Sequence, residues 1–214
     1  MGKQGNPEKN KARTEGLVEG QMEKSPFDQF ERWFKEVQKA GFIEPTAMIL
    51  ATSTKTGIPS VRTLLLKDFS ESGFVFYTNY NSRKGQDLTQ NPKAALLFYW
   101  DMLARQVRVR GTVKKVSGRI SEEYFNSRPW QSRISAIASP QSEIIKDRLT
   151  LEKKVDELNS KFSGQENIPC PANWGGYVLK PNYFEFWQGR ENRLHDRIIY
   201  VPGKGKWKMS RLAP

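Results

Sequence analysis

The chain has 214 residues, 35 basic against 23 acidic, with one histidine, one cysteine and 12% aromatic residues. These counts exclude an internal disulfide and a cysteine-built zinc site, and they leave too few soft or imidazole ligands for a protein-only transition-metal centre. The formal charge of +12 suits nucleic acid or phosphorylated small molecules, and the interleaving of basic residues with strand patterns favours the second.

The N-terminus has no apolar stretch of the kind a secretory signal needs, and no later run approaches a membrane span. A soluble, cytoplasmic protein is expected. Residues 1–24 read as a flexible basic segment, its first thirteen residues rich in lysine, ahead of a single domain over 25–214. Ser25-Pro26 opens a helix as cap and first helical residue, with Phe27, Phe30, Phe34 and Val37 on one face and Gly41 ending it. Strands are predicted over 46–53, 60–67 and 74–79, joined by turns at 55–57 and 70–73. A short helix follows from Ser82 to Asn91, then strands over 94–100 and 105–116; in the latter Val107 and Val109 alternate with Gln106, Arg108 and Arg110. The middle turns helical, over 121–127 and from Glu143 to Phe162, with Ser142 as the cap of the long helix. After a loop, strands over 174–180, 183–187, 197–201 and 206–211 finish the chain. The expected architecture is mainly β: a small closed or split barrel of seven or eight antiparallel strands with peripheral helices. No glycine-rich turn leads from a strand into a helix, so neither a Rossmann fingerprint nor a P-loop is present.

Four constellations carry chemistry. Ser82-Arg83-Lys84 offers a hydroxyl, two cations and the free amides of a helix N-terminus, which suit a phosphate monoester or a solvated helix start. Arg62 and Lys67 flank an apolar strand, and their spacing of five requires a bulge or strand end for both to reach one ligand. Tyr124, Arg128 and Ser132 recur every four residues; the first two share a helix face, and Pro129 interrupts the helix before Ser132. Finally, the one histidine stands in Arg193-Leu194-His195-Asp196-Arg197, after Phe184-Glu185-Phe186-Trp187-Gln188-Gly189. On a strand, Arg193, His195 and Arg197 would share a face and call for an anionic or π-rich ligand between them.

The ordered set Arg62-x-x-x-x-Lys67, Phe76-Tyr77-Thr78-Asn79, Ser82-Arg83-Lys84, Arg105-Gln106-Val107, Tyr124-Phe125-x-Ser127-Arg128-Pro129, Gln141-Ser142, Trp174-Gly175-Gly176, Glu185-Phe186-Trp187-Gln188-Gly189, Arg193-Leu194-His195-Asp196-Arg197 and Arg211-Leu212-Ala213-Pro214 resembles the pyridoxine/pyridoxamine 5′-phosphate oxidase family. The resemblance implies the FMN-binding split barrel, a homodimer with FMN at the subunit interface, and no nucleic acid or membrane partner. It implies FMN contacts from Arg62, Thr63, Leu64, Leu65, Tyr77, Thr78, Ser82, Arg83 and Lys84, completed by Gln106, Gln141, Ser142, Trp187 and Arg197, partly from the second subunit. Lys67, Tyr124, Arg128 and Ser132 would hold the substrate phosphate, with Arg193 and His195 over the pyridine ring as the catalytic pair. The implied reaction oxidises pyridoxine or pyridoxamine 5′-phosphate to pyridoxal 5′-phosphate, with O₂ as acceptor and H₂O₂ released. Trp130, Ser135 and Ile137 depart from the family pattern, and residues 11–20 lack the tyrosine of its N-terminal segment. Two rivals are a phenazine-precursor oxidase of the same fold and a non-catalytic barrel that binds single-stranded nucleic acid.

Overall fold

A computed structural model describes residues 14–165 and 167–214. Alternating apolar side chains generate the strands, because one face of each must leave water. Val107, Val109, Phe184, Phe186, Ile198 and Tyr200 are all fully buried, while Arg108 and Arg110 between them face outward. Among the described residues nine strands result: β1 (Ala47–Ser53), β2 (Pro59–Leu65), β3 (Asp68–Ser70), β4 (Gly73–Asn79), β5 (Lys93–Trp100), β6 (Arg105–Lys115), β7 (Trp174–Gln188), β8 (Asp196–Pro202) and β9 (Trp207–Leu212). They form one antiparallel sheet in the order β2-β1-β5-β6-β7-β4-β3, with β8 added to β7 and β9 to β8.

β7 makes this a split barrel. β6 pairs along its whole length, but its other edge is shared: residues 174–179 pair with β4 and residues 184–188 with β8. Between these stretches lies Pro181, which has no N–H to give, and the register with β6 shifts between Arg110 and Gly111. The two strands expected over 174–180 and 183–187 are therefore one bent strand.

Helix α1 (Pro26–Lys39) lies across the barrel interior. The Ser25 hydroxyl accepts from the Phe27 amide at 3.2 Å, and Pro26 stands in the first turn. The Phe30 ring meets Phe69, Phe74 and Phe98 at centroid distances of 4.9, 5.0 and 4.9 Å. Burial of each such ring contributes about 2–3 kcal/mol. Helix α2 (Arg83–Gln90) follows β4. Helices α3 (Gly118–Ser127), α4 (Trp130–Ala138) and α5 (Arg148–Phe162) build a second core from Phe125, Ile134, Leu158, Phe162, Ile168 and Trp174.

Several expectations are corrected. Helix α4 occupies a stretch with no predicted element, and the short β3 lies beside the predicted turn. Helix α5 starts at Arg148 rather than Glu143, and Asp147, not Ser142, caps it by accepting from the Thr150 amide at 2.8 Å. Ser142 instead adopts a left-handed φ of 77° in the connection. The first thirteen residues lie outside the described range. Residues 14–24 lie against the C-terminal strands: the Leu17 amide donates to Asp196 at 3.0 Å, and Arg211 binds Glu19 at 2.7 Å. Among the described residues no helix is long and apolar enough to cross a membrane.

Gly85 locks α2 onto the end of β4. A Cβ there would fall inside van der Waals contact of the Tyr80 carbonyl oxygen, which is backbone and cannot swing away. Gly85→Ala should therefore destabilise the fold by about 1–3 kcal/mol, the usual cost of overpacking. Denaturant unfolding checks this.

Candidate active site

A cavity of about 550 Å³ opens between the end of β4, helices α3 and α4, and the loop after α4. Lys67, Tyr124, Arg128 and Ser132 all line it, beside Leu64, Tyr77, Thr78 and Gln141. Local structure explains the convergence. β2 ends at Leu65, so Lys67 is free of strand alternation and reaches the cavity; Arg62, on the same face as the lining Leu64 but further along the strand, does not reach it. Arg128 is the C-cap of α3, and Pro129 turns the chain so that Ser132 arrives from α4.

The cavity wall is aromatic. The Tyr77 and Tyr124 rings stack at 3.9 Å and Tyr77 stacks on Trp174 at 5.5 Å, while the Arg128 guanidinium lies 4.8 Å from the Trp174 ring. Arg128 Nη1 is buried with no hydrogen-bond partner among the described residues, and burial pushes this guanidinium below its ordinary pKa. A buried donor left unmatched costs about 1–3 kcal/mol, which an anionic acceptor would recover.

A second cationic site adjoins the first at the start of α2. Ser82 and Lys84 are buried there, and Lys84 Nζ donates to the Ser82 hydroxyl at 3.2 Å and to Gln141 Oε1 at 2.9 Å. Gln141 Oε1 also accepts from Thr78 at 3.2 Å, so one side chain bridges the two sites. Burial, then the charge of Arg62, pushes Lys84 down to about 8. Asp87 is the nearby carboxylate, but it is taken by Thr52 at 2.8 Å, Arg83 at 3.3 Å and Arg62 at 3.8 Å. Two of the three cations here thus share one carboxylate while Lys84 has none, and that surplus of positive charge at a helix N-terminus suits a phosphate. Thr63, Leu64 and Leu65 belong to β2, the edge of the sheet, whose outer backbone groups are open to a ligand.

A third group stands on the outward face of the sheet. Gln106, Trp187 and Arg197 are successive partners across β6, β7 and β8, so they form one row. His195 packs on Trp187 at 4.7 Å, and its Nδ1 accepts from the Arg190 amide at 3.1 Å. In the neutral ring the proton then sits on Nε2, free to be donated. The expected strand alternation of Arg193, His195 and Arg197 is not found. Residues 191–193 form a 3-10 turn, Asn192 and Arg193 have φ of 53° and 62°, and β8 begins only at Asp196. Asp196 itself binds Arg190, Arg211 and the Leu17 amide.

None of Gln106, Trp187, Arg193, His195 and Arg197 lines the cavity. Ser142 is exposed in the connection after α4. Sequence reasoning missed Asn79, Gln131, Ser135 and Ser139, which do line the cavity. The i, i+4 spacing of Gln131, Ser135 and Ser139 marks one helical face, a signal visible once α4 is recognised. Of the departures from the family pattern, only Ser135 faces the cavity; Trp130 Nε1 donates to Asn159 at 3.2 Å on α5, and Ile137 lines a neighbouring cleft.

The fold and site define a split-barrel protein with two adjoining clusters of cationic and polar side chains and a detached row of aromatic and cationic ones. Residues 34–162 match the family model "Pyridoxamine 5′-phosphate oxidase", and residues 174–214 match "Pyridoxine 5′-phosphate oxidase C-terminal dimerisation region". The chain is 52% identical to a pyridoxine/pyridoxamine 5′-phosphate oxidase of Gloeothece citriformis over 93% of each chain. It is 53% identical to that of Bordetella pertussis over 92% of this chain and 93% of the other. Among solved structures, PhzG from Burkholderia lata, in complex with tetrahydrophenazine-1-carboxylic acid, superposes with a TM-score of 0.86 at 29% identity, covering 92% of this chain and 98% of that one. The chain belongs to the pyridoxamine 5′-phosphate oxidase family, a family of oxidoreductases.

The depressed Lys84 has a pH consequence. Between about 8 and the ordinary 10.5, the unfolded chain holds a proton that the folded chain has released, so this residue makes stability rise with pH across that window. Lys84→Met removes the effect. The stability of that variant relative to the parent, both without ligand, should fall as pH climbs through the window; a constant difference in urea unfolding would show an unperturbed lysine.

Proposed function

We propose that the chain is an FMN-dependent oxidase that converts pyridoxine or pyridoxamine 5′-phosphate to pyridoxal 5′-phosphate. The observation that carries this reading is the pair of cations without a carboxylate partner, the buried Lys84 and the half-buried Arg128 with its unmatched Nη1, in adjoining sites bridged by Gln141. Two anion sites within one bridging side chain suit a phosphorylated cofactor beside a phosphorylated substrate. Relatives with 52–53% identity that carry this activity in their names support it. The 29% identity to PhzG gives the phenazine-type alternative less support.

In this reading Ser82, Arg83 and Lys84 hold the FMN phosphate against the N-terminus of α2, with Arg62 braced by Asp87. The edge backbone of β2 through Thr63, Leu64 and Leu65 receives the flavin ring, with Tyr77, Thr78 and Gln141 beside it. FMN held there would supply the two-electron redox chemistry by which C4′ of the substrate is oxidised and O₂ is reduced to H₂O₂. Lys67, Tyr124, Arg128 and Ser132 grip the substrate phosphate and so fix the distance of C4′ from the cofactor. Arg193 lays its planar guanidinium on the pyridine ring, and His195 donates from Nε2 to a ring substituent. With the amine substrate, water completes release of the aldehyde and ammonia.

A homodimer completes the site. Gln106, Trp187, Arg193, His195 and Arg197 come from the second copy, which accounts for their absence from the cavity of their own chain, while Ser142 stays beside Gln141 of the first. The match of residues 174–214 to a dimerisation region supports this arrangement.

Production of H₂O₂ and aldehyde from pyridoxine 5′-phosphate with added FMN tests the activity; a colourless protein without turnover would refute it. Arg128→Leu should raise KM about 10- to 150-fold, the worth of a charge-assisted hydrogen bond, at unchanged FMN affinity. Arg193→Leu should lower kcat/KM with FMN retained. Mixing these two impaired variants, assayed at substrate well below the parental KM, tests the shared site. Random re-pairing should restore about a quarter of parental activity, because half the dimers are mixed and each mixed dimer has one intact site. No restoration would place Arg128 and Arg193 in the same chain's site.

A further inference from the structure

Glu185 is the least expected residue on the outward face of the sheet. It lies on β7 in the rung behind the Gln106–Trp187–Arg197 row, opposite Arg108 on β6 and Ile199 on β8. Outward-facing carboxylates are normally solvated, yet this one is only 2% exposed. Every contact it makes is a donor's. Oε1 accepts from Arg197 Nε at 2.9 Å, and Oε2 accepts from Arg108 Nη1 at 3.2 Å and the Tyr183 hydroxyl at 2.8 Å. Burial raises its carboxyl, but the bonds from Arg197 and Tyr183 and the Arg108 charge outweigh that and leave it below the ordinary range.

The consequence falls on Arg197. Its Nε is held by Glu185 and its Nη1 donates to the Ala213 carbonyl at 2.9 Å. A planar guanidinium fixed at two of its three nitrogens has one orientation. No hydrogen bond from Nη2 is made among the described residues, which leaves that edge for a ligand. Arg108 is 45% exposed and Arg197 26%, so the two cations differ: one is largely solvated, the other is clamped beside Trp187.

We propose that Glu185 is a positioning residue of the cofactor site: its buried carboxylate holds Arg197 by Nε in the one orientation from which Arg197 reaches the flavin bound by the other copy. This rests on the reading that Arg197 contacts FMN. A buried ion pair of this kind is an uncertain source of stability, since desolvation offsets the attraction. Its gain here is the orientation of a cation that would otherwise sweep several rotamers.

The test is a double-mutant cycle on the full chain stripped of flavin, using Glu185→Gln, Arg197→Lys and the pair, with FMN affinity read from quenching of flavin fluorescence. Melting temperature is recorded for all four proteins. Glu185→Gln is expected to weaken FMN about tenfold, the lower end for a lost charge-assisted hydrogen bond. The double variant should bind no more weakly than Arg197→Lys alone, because the two residues act as one unit. If Arg197→Lys weakens FMN while Glu185→Gln does not, or if the two losses add and track the melting temperature, Glu185 serves the fold alone and the proposal fails. An Arg197→Lys variant with parental affinity would instead refute the assignment of Arg197 to the cofactor site, and the proposal with it. Should Glu185→Gln not fold, Glu185→Asp keeps the buried charge, withdraws it by one methylene from Nε, and is read in the same cycle.

Discussion

The ladder between β6 and β7 carries the rest of this structure. Because β6 follows β7 from end to end, β7 has one free edge, and β4 and β8 divide it between them. The β4 half brings Tyr77 and Thr78 to the cavity; the β8 half sets Arg197 beside Trp187 and Gln106. The bend at Pro181 separates the halves, and α1 seals the interior beneath them with its phenylalanines. The cavity and the outward row are thus two ends of one strand.

Stability is spent at the site and recovered in the core. Arg128 keeps an unmatched buried donor, Lys84 is buried among cations, and Asn192 and Arg193 adopt left-handed backbone. Each costs on the order of 1–3 kcal/mol. The rings around Phe30 and the second core around Phe125 and Trp174 offset this, since each large side chain buried contributes as much in the other direction. The unmatched Arg128 donor and the buried Lys84 charge sit where an anion would satisfy them, whereas Glu185 and Asp87, the buried carboxylates among the described residues, are engaged by donors.

Much of the barrel was legible in the sequence. Period-two burial in β6 and the Ser25-Pro26 start of α1 follow from side-chain chemistry within a few residues, and they hold. So does the interruption at Pro129 that lets Tyr124, Arg128 and Ser132 converge. The two cationic constellations could be seen as residue types, and the ordered motifs pointed to the family. Local signals failed where distant contacts decide. α4 is held by Ile134 packing on Leu158 and Phe162, and β3 exists only because β4 pairs with it.

The sequence by itself determined the alternation of faces, the helix starts and the identity of the charged groups, because each depends on neighbours along the chain. Only the tertiary structure decided that Gln141 would bridge Thr78 and Lys84, and that Glu185 would clamp Arg197. It also set Arg193 in a left-handed turn, where alternation along a strand would have aligned it with His195 and Arg197, and kept His195 out of the cavity that Arg128 lines. Those outcomes depend on strand register and on which edge of β7 each neighbour takes, and register is set by burial across the whole sheet rather than by any local run of residues.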